Sequence, residues 1–344
     1  MFCENCGALL PEGARFCTEC GAAVRIAPSS ETAAPRMPEQ DSFVTTPEPR
    51  IPWHSRGRLS PQLPAGKQKA VNVRLVIVLL LLQIVLRIVV GSIADAHEGS
   101  EPDLLISQIV GMVPVALLII YLFVLDTIER EPVWLLALLF VGEGIMCNTG
   151  VVFTELFLDE VFTSFMDEDT ILFQLIDAFL LVALVEELGK YLVLRLITWR
   201  SRHFNYRFDG VVYAAVTALG FAAFENVSYI GAYGFQVALY RGLSAIPGHC
   251  ADGILMGIFY GQAKVLEGKG DLAGSKRYRR LALLIPVLEH GFYDFCAGLE
   301  GGILAALFPY YVLLLNAVIF VVVWRQSQKD EAIPLQESAE QAAV

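Results

Sequence analysis

The chain has 344 residues, of which 55% are hydrophobic and 18% are charged, and its mean hydropathy is +0.55. A soluble domain is roughly 45–50% apolar and about 25% charged, so the apolar excess indicates a lipid environment. The formal net charge of −11 argues against nucleic acid as a partner, because a nucleic-acid-binding protein presents a basic face. The seven cysteines are too few and too clustered to form a secreted disulfide framework.

The N-terminal segment, residues 1–24, contains two C-x-x-C-G turns. Each turn presents two thiolates, and two such turns can enclose zinc in a tetrahedral site. The predicted ligands are Cys3, Cys6, Cys17 and Cys20. Two redox-active C-x-x-C pairs are the alternative, but the surrounding βαβ pattern typical of such pairs is missing. We therefore predict a structural zinc ribbon, and its expected role is to bind a soluble partner, because four thiolates leave no open coordination position.

Composition divides the rest of the chain into three parts. Residues 25–70 are rich in Pro, Ser, Thr, Glu and Gln, which predicts a disordered linker. Residues 71–325 consist mainly of apolar runs long enough to cross a bilayer, since about 20 apolar residues cover about 30 Å of hydrocarbon. Residues 326–344 are polar and are predicted to form a disordered tail.

The membrane region is predicted to be an all-α integral membrane protein with about eight transmembrane helices. Their approximate ranges are 71–94, 104–128, 132–156, 171–198, 209–232, 244–266, 281–299 and 302–324. Basic residues precede the first span and follow the fourth, sixth and eighth, whereas most of the other loops are acidic or neutral. Because lysine and arginine concentrate in cytoplasmic loops, both termini are predicted to be cytoplasmic, in the cytoplasmic membrane of a prokaryote.

Ionisable side chains occur inside four consecutive predicted spans. Each costs at least about 2.5–3.5 kcal/mol at the bilayer centre, so a functional role is the first interpretation. The residues are Glu186, Glu187 and Lys190 in span four, Glu225 in span five, His249 in span six, and His290 and Asp294 in span seven. At a rise of about 1.5 Å per residue their depths overlap. The pattern predicts that these side chains share one cavity.

The residue types in this set favour hydrolysis. Glu186 and Lys190 lie one helical turn apart, with the acid N-terminal to the base, which is the favourable order. A carboxylate held in this way can act as a general base towards water. Two histidines with carboxylates also make an adequate zinc site with an open position. A metal-dependent and a metal-free glutamate mechanism are both compatible with the sequence.

The other acids in the spans are interpreted as helix-packing groups or as the lining of a water-filled path, and the small residues as positions of close packing. The acids without a partner at helical spacing are Glu143, Asp177, Asp252 and Glu289. In span six, glycines recur every fourth residue at Gly253, Gly257 and Gly261. A stripe of small residues predicts close packing against a neighbouring helix.

Five stretches, taken in order, resemble the PrsW family of intramembrane proteases, distant relatives of the CAAX-processing and bacteriocin-processing membrane proteases. They are EELGK at 186–190, DGVVY at 209–213, LGFAAFEN at 219–226, PGH at 247–249 and HGFYDF at 290–295. The resemblance covers the chain from about residue 171 to residue 299 and does not extend to the first 70 residues. It implies proteolysis in or near the membrane, with the paired glutamates essential.

The resemblance also implies a role for each polar residue. Glu186 is expected to activate water, with help from Glu187 and Glu225. Lys190 is expected to hold the charge and orientation of a glutamate.

The remaining side chains of the set, His290, Asp294 and His249, are expected to stabilise the oxyanion or to bind a second divalent metal. The resulting hypothesis is an endopeptidase that cuts a membrane-embedded or membrane-adjacent peptide. A proton-coupled transporter is one alternative, because intramembrane acids and histidines also relay protons. Transporters often contain inverted repeats, and the two halves of this chain show no corresponding pair of segments. A non-catalytic scaffold, in which the ribbon binds a partner, is the other alternative.

Overall fold

A computed structural model describes residues 104–334 of the chain. Four predicted segments lie outside the described residues: the ribbon at 1–24, the linker at 25–70, the first span at 71–94 and the end of the tail at 335–344. Within the described range the regular secondary structure is helical, apart from an isolated antiparallel bridge between Tyr206 and Ala332. The predicted all-α class is confirmed for this part of the chain.

The described residues form ten α-helices and two π-helical segments. In chain order they are α1 (Leu104–Leu125), α2 (Val133–Val141), π1 (Gly142–Cys147), α3 (Asn148–Thr163), α4 (Ile171–Ile176), π2 (Asp177–Ala183), α5 (Leu184–Thr198), α6 (Asp209–Tyr233), α7 (Phe235–Leu243), α8 (Ala245–Gly268), α9 (Leu272–Gly298) and α10 (Gly302–Ser327). Each π-helical segment joins two α-helices into one continuous stretch. Such insertions are frequent at functional sites because they reorient the side chains that follow.

Five helical stretches in the described part are long and apolar enough to cross a membrane: α1, the α2–π1–α3 stretch, α6, α9 and α10. The predicted spans at 171–198 and 244–266 are also helical, but they do not meet the same criteria of length and composition. Large apolar side chains such as Leu105, Phe153 and Ile303 are exposed on the outer helices, as expected where lipid covers the surface. The protein is therefore a multi-pass membrane protein, whereas the predicted number of eight spans is not established.

Helices α6 and α8 pack together at the centre of the bundle. In α6, 83% of the most apolar stretch of 18 residues is buried inside the protein. A Cβ atom added at Gly257 would lie 2.4 Å from the Val211 Cα, and one at Gly261 would lie 2.1 Å from the Arg207 carbonyl oxygen. The backbones therefore touch along the glycine stripe, and the predicted close packing is confirmed.

The polar tail is ordered at its start. The chain from residue 329 to residue 334 pairs with the loop between α5 and α6, where the Ile333 N–H donates to the Asn205 carbonyl at 2.7 Å and the Arg207 N–H donates to the Glu331 carbonyl at 2.9 Å. These bonds satisfy main-chain groups that would otherwise need water. The disordered tail predicted from residue 326 therefore does not begin there, and α10 continues through that position.

Buried carboxyl groups lie close to this pairing, at the ends of the helices. Burial raises the pKa of Glu131, in the loop between α1 and α2, to about 7. Burial also raises the pKa of Asp330, after α10, to about 6. The Tyr213 hydroxyl donates to one oxygen of Glu131, and the Phe208 N–H donates to the Asp330 carboxylate at 2.8 Å.

Candidate active site

The seven predicted site residues meet between α5, α6, α8 and α9. They are Glu186, Glu187 and Lys190 on α5, Glu225 on α6, His249 on α8, and His290 and Asp294 on α9. A cavity of about 850 Å³ adjoins the cluster, and five of the seven residues line it: Glu186, Glu225, His249, His290 and Asp294. The carboxylates and imidazoles of neighbouring helices therefore share one cavity, as the overlap in depth predicted.

Lys190 lies at the centre of the cluster. Its ammonium group is 2.9 Å from the Glu186 carboxylate and 2.7 Å from the Glu187 carboxylate, because residues three and four positions apart share a helix face. The nitrogen also lies 4.0 Å from the centre of the Phe221 ring. Both glutamates and the lysine are buried, so the one ammonium balances two carboxylates that are largely shielded from bulk water.

His249 is oriented from both sides of its ring. Its Nδ1 lies 3.2 Å from the Lys190 ammonium, and its Nε2 lies 2.9 Å from a Glu225 oxygen. Arg241 contacts the same Glu225 oxygen at 2.6 Å. Because an ammonium can only donate, Nδ1 is the acceptor, and the proton of the neutral ring resides on Nε2 and is donated to Glu225. This tautomer directs the Nδ1 lone pair towards the Lys190 ammonium.

His290 completes the cluster from α9. Its Nδ1 lies 3.0 Å from a Glu187 oxygen, and its Nε2 lies 3.1 Å from Asp294, one helical turn later. The same Nε2 is 3.8 Å from the Glu186 carboxylate. The rings of His290 and His249 are 5.1 Å apart, edge to face. The two imidazoles therefore flank the carboxylate of Glu186 on the cavity wall.

The chemistry of the cluster fits a divalent metal. Glu186, Glu187, His249 and His290 each offer one ligand atom, and these four atoms lie within 4.8 Å of one another. The Oε2 atom of Glu187 is buried and accepts no hydrogen bond from the described residues. Carboxylate oxygens and imidazole nitrogens are ligands that zinc accepts, and the spare Glu187 oxygen is available to such an ion.

Two further polar residues adjoin the seven that the sequence predicted. Asp252 was interpreted as a packing group or as part of a water-filled path; it lines the cavity, and its Oδ2 lies 3.9 Å from His290 Nδ1. Its position three residues after His249 could have indicated this. Arg241 lies on the short helix α7 and had no such signal, because its partner Glu225 is on another helix.

The other three acids without a partner at helical spacing lie in different surroundings. Asp177 lines the cavity, as Asp252 does, which fits the second of the two roles expected for these acids. Glu143 is buried within π1, and Glu289 accepts a hydrogen bond from the Tyr311 hydroxyl at 2.6 Å. Both of these acids fit a packing role.

The sequence has clear relatives. Residues 131–324, more than half of the chain, match the PrsW family of intramembrane metalloproteases, and residues 2–24 match a zinc-ribbon domain. Protease PrsW of Oceanobacillus iheyensis is 31% identical over 204 residues, which cover 59% of this chain and 88% of that protein. Protease PrsW of Bacillus subtilis is 28% identical over 211 residues, with 61% and 88% covered. No solved structure matches the chain.

The matched range contains all seven residues of the cluster, and the N-terminal match coincides with the two C-x-x-C-G turns. Both resemblance and ribbon were expected from the sequence, and both are confirmed. The chain belongs to the PrsW family and is an intramembrane peptidase.

Proposed function

We propose that the protein is an endopeptidase of the cytoplasmic membrane, with both termini in the cytoplasm, and that it hydrolyses a peptide bond within or next to the bilayer. The observation that carries this proposal is the convergence of Glu186, His249 and His290 on one cavity between helices. A cavity of about 850 Å³ accommodates an extended peptide segment, and typical ligand pockets have roughly 300–1,000 Å³.

Glu186 is the proposed general base. Its carboxylate lines the cavity, whereas Glu187 is fully buried and lies behind it. A carboxylate that faces the substrate can take a proton from water as the water attacks the peptide carbonyl carbon, and can then return that proton to the leaving amine. Lys190 holds the carboxylate in place through the 2.9 Å contact.

The two histidines are the proposed electrophilic groups. Negative charge develops on the carbonyl oxygen as water attacks, and preorganised donors at that position stabilise it. His290 is held by Asp294 and Glu187, and His249 by Glu225. Both nitrogens of each ring have a partner in this arrangement, so a ring that contacts the carbonyl oxygen exchanges one of these partners for it.

We further propose that Glu187, His249 and His290 hold a divalent metal, with Glu186 left free to face the cavity. Such an ion, when bound, would supply a Lewis acid that polarises the peptide carbonyl. A second zinc would occupy the N-terminal ribbon and fold it, and the ribbon would recruit a soluble partner. Its proposed ligands are Cys3, Cys6, Cys17 and Cys20.

The proposal is tested by a comparison of new protein N-termini in membranes that contain the wild-type chain or Glu186→Gln. The amide keeps the shape of the carboxylate but cannot act as a base. We expect a set of cleavage sites that depends on the wild-type protein and is lost with Glu186→Gln at equal expression. Glu160→Gln, a change of an exposed acid on α3, is the control and should keep every site. Identical termini for wild type and Glu186→Gln would refute the proposal.

A further inference from the structure

Arg241 extends from α7 into the wall of the active-site cavity. Among the described residues that line the cavity, it is the only arginine or lysine. Its guanidinium lies 2.6 Å from the Oε2 atom of Glu225, and the guanidinium carbon lies 3.8 Å from the centre of the Tyr229 ring. Contact with an aromatic face attracts the cation and limits its freedom to turn, so the guanidinium is held in a defined position.

Helix α7 presents Arg241 from a well-packed position. Gly234 separates α7 from α6, and its φ of 81°, which favours glycine, lets one helix end and the next begin with no longer loop. Ala238 and Gly242 of α7 are buried, and a Cβ atom added at Gly242 would lie 3.3 Å from the Pro114 ring on α1. Arg241 therefore reaches Glu225 from a helix that packs closely against α1.

One oxygen of Glu225 contacts two partners. Its Oε2 atom accepts from Arg241 at 2.6 Å and from His249 Nε2 at 2.9 Å. A glutamate side chain can adopt several rotamers, and Glu225 borders a cavity of about 850 Å³ into which its carboxylate could turn. A guanidinium, which can only donate, keeps the shared oxygen at the histidine ring.

We propose that Arg241 is a positioning residue for the reaction: it fixes the Glu225 carboxylate, and that carboxylate in turn holds the His249 ring in place. The inference rests on the proposed function, because His249 is one of the electrophilic groups proposed there. Arg241 acts through Glu225 and needs no contact with the peptide. Removal of a partner that orients a functional histidine typically lowers activity about 10–100-fold.

The first test measures kcat and KM of the full-length protein in nanodiscs, on a peptide that spans one cleavage site found by the comparison of N-termini. Arg241→Gln should lower kcat about 10–100-fold and leave KM largely unchanged, because ground-state binding of the peptide is not affected. Arg241→Lys keeps a cation beside Glu225 and should recover part of kcat. Arg280→Gln, which removes an exposed guanidinium of α9, is the matched control and should keep both constants. An unchanged kcat in Arg241→Gln, whatever its KM, would overturn the proposal.

A double variant tests whether Arg241 acts through Glu225. In protein that already carries Glu225→Gln, the further change Arg241→Gln should lower kcat much less than it does alone, because the carboxylate that Arg241 positions is gone. Losses that multiply in the double variant would show that the two residues act independently and would overturn the proposal.

Solid-state nitrogen NMR of the full-length protein in liposomes, with labelled histidine, examines the ring without any cleavage. His249→Asn identifies the His249 signals by their loss. The wild type should show a protonated, hydrogen-bonded Nε2. Arg241→Gln should move this signal towards a weaker hydrogen bond or spread it over several positions. Tyr229→Leu, a milder change that removes only the ring beside the guanidinium, should move it in the same direction, whereas Arg280→Gln should not move it.

The spectra separate this inference from the proposed function. An unprotonated Nε2 of His249 in the wild type overturns the inference, and so does a His249 signal that neither Arg241→Gln nor Tyr229→Leu moves. Both results hold whether or not a peptide is cut and whether or not Arg241→Gln folds. The proposed function is decided separately, by the comparison of N-termini with Glu186→Gln.

Discussion

Lys190→Met removes the ammonium that two buried carboxylates share. The nitrogen lies 2.7 Å from Glu187 and 2.9 Å from Glu186, and the lysine is 1% exposed. Removal of one partner of a buried ion pair costs about 3–5 kcal/mol, because the other charge is left without compensation. Here one cation serves two anions, so we expect a loss at the upper end, about 4–5 kcal/mol.

This loss corresponds to a large fall in the melting temperature. At about 2–4 °C for each kcal/mol in a domain of this size, Lys190→Met should lower the melting temperature by about 8–20 °C. The assay is thermal unfolding of the purified protein in detergent, followed by tryptophan fluorescence. Lys276→Met, at an exposed position of α9, is the control and should change the free energy of unfolding by less than about 0.5 kcal/mol.

A double variant tests whether uncompensated carboxylate charge causes the loss of stability in Lys190→Met. Glu187→Gln added to Lys190→Met removes one of the uncompensated charges, so the pair should be less destabilised than the sum of the single variants by at least about 1–2 kcal/mol. Two results would refute the reasoning: a melting temperature of Lys190→Met close to that of the control, or additive losses in the double variant.

Three further predictions follow from packing, titration and metal binding. Gly257→Ala should destabilise the protein by about 1–3 kcal/mol or more, because its Cβ would overlap α6. The control Gly231→Ala, with open space around it, should be neutral or stabilising. Similar melting temperatures for the two variants would contradict the packing of α6 against α8. The pKa of Glu131 is raised to about 7, above the ordinary value near 4. Between these two values the folded state binds more protons than the unfolded state, so thermal stability should fall as the pH rises from about 4 to about 7. Glu131→Gln should flatten that decline, and an unchanged slope would contradict the assignment. A variant without the four ribbon cysteines should keep one equivalent of divalent metal by elemental analysis and should lose it with His249→Ala; equal metal content in both variants would exclude this ligand.

Much of the fold could be predicted from local patterns. Apolar runs indicated helices, and the glycine period at Gly253, Gly257 and Gly261 indicated a close helix contact, which α6 supplies. The short helix α7 and the ordered segment at residues 329–334 could not be predicted. Helix α7 adjoins the cavity, and the segment at residues 329–334 pairs with a loop more than 120 positions earlier. Neither contact produces a periodic pattern in the sequence.

The contacts of the site likewise divide into those that local spacing predicts and those that depend on helix packing. Helical spacing alone relates Glu186 to Lys190 and His290 to Asp294, because these pairs are one turn apart on one helix. The contacts of His249 with Lys190 and Glu225 join residues 59 and 24 positions apart. The tautomer of His249 depends on both contacts and therefore follows only from the packed helices.

The sequence by itself determined the membrane class, the ribbon motif and the family, because these depend on composition, on spacing within one segment or on short motifs taken in order. Tertiary structure decided which acids face the cavity and how Arg241 and Asp252 join the site. Those features depend on the rotation of each helix about its axis. That rotation is set by how closely the backbones of α6 and α8 approach, and by the neighbours that surround them.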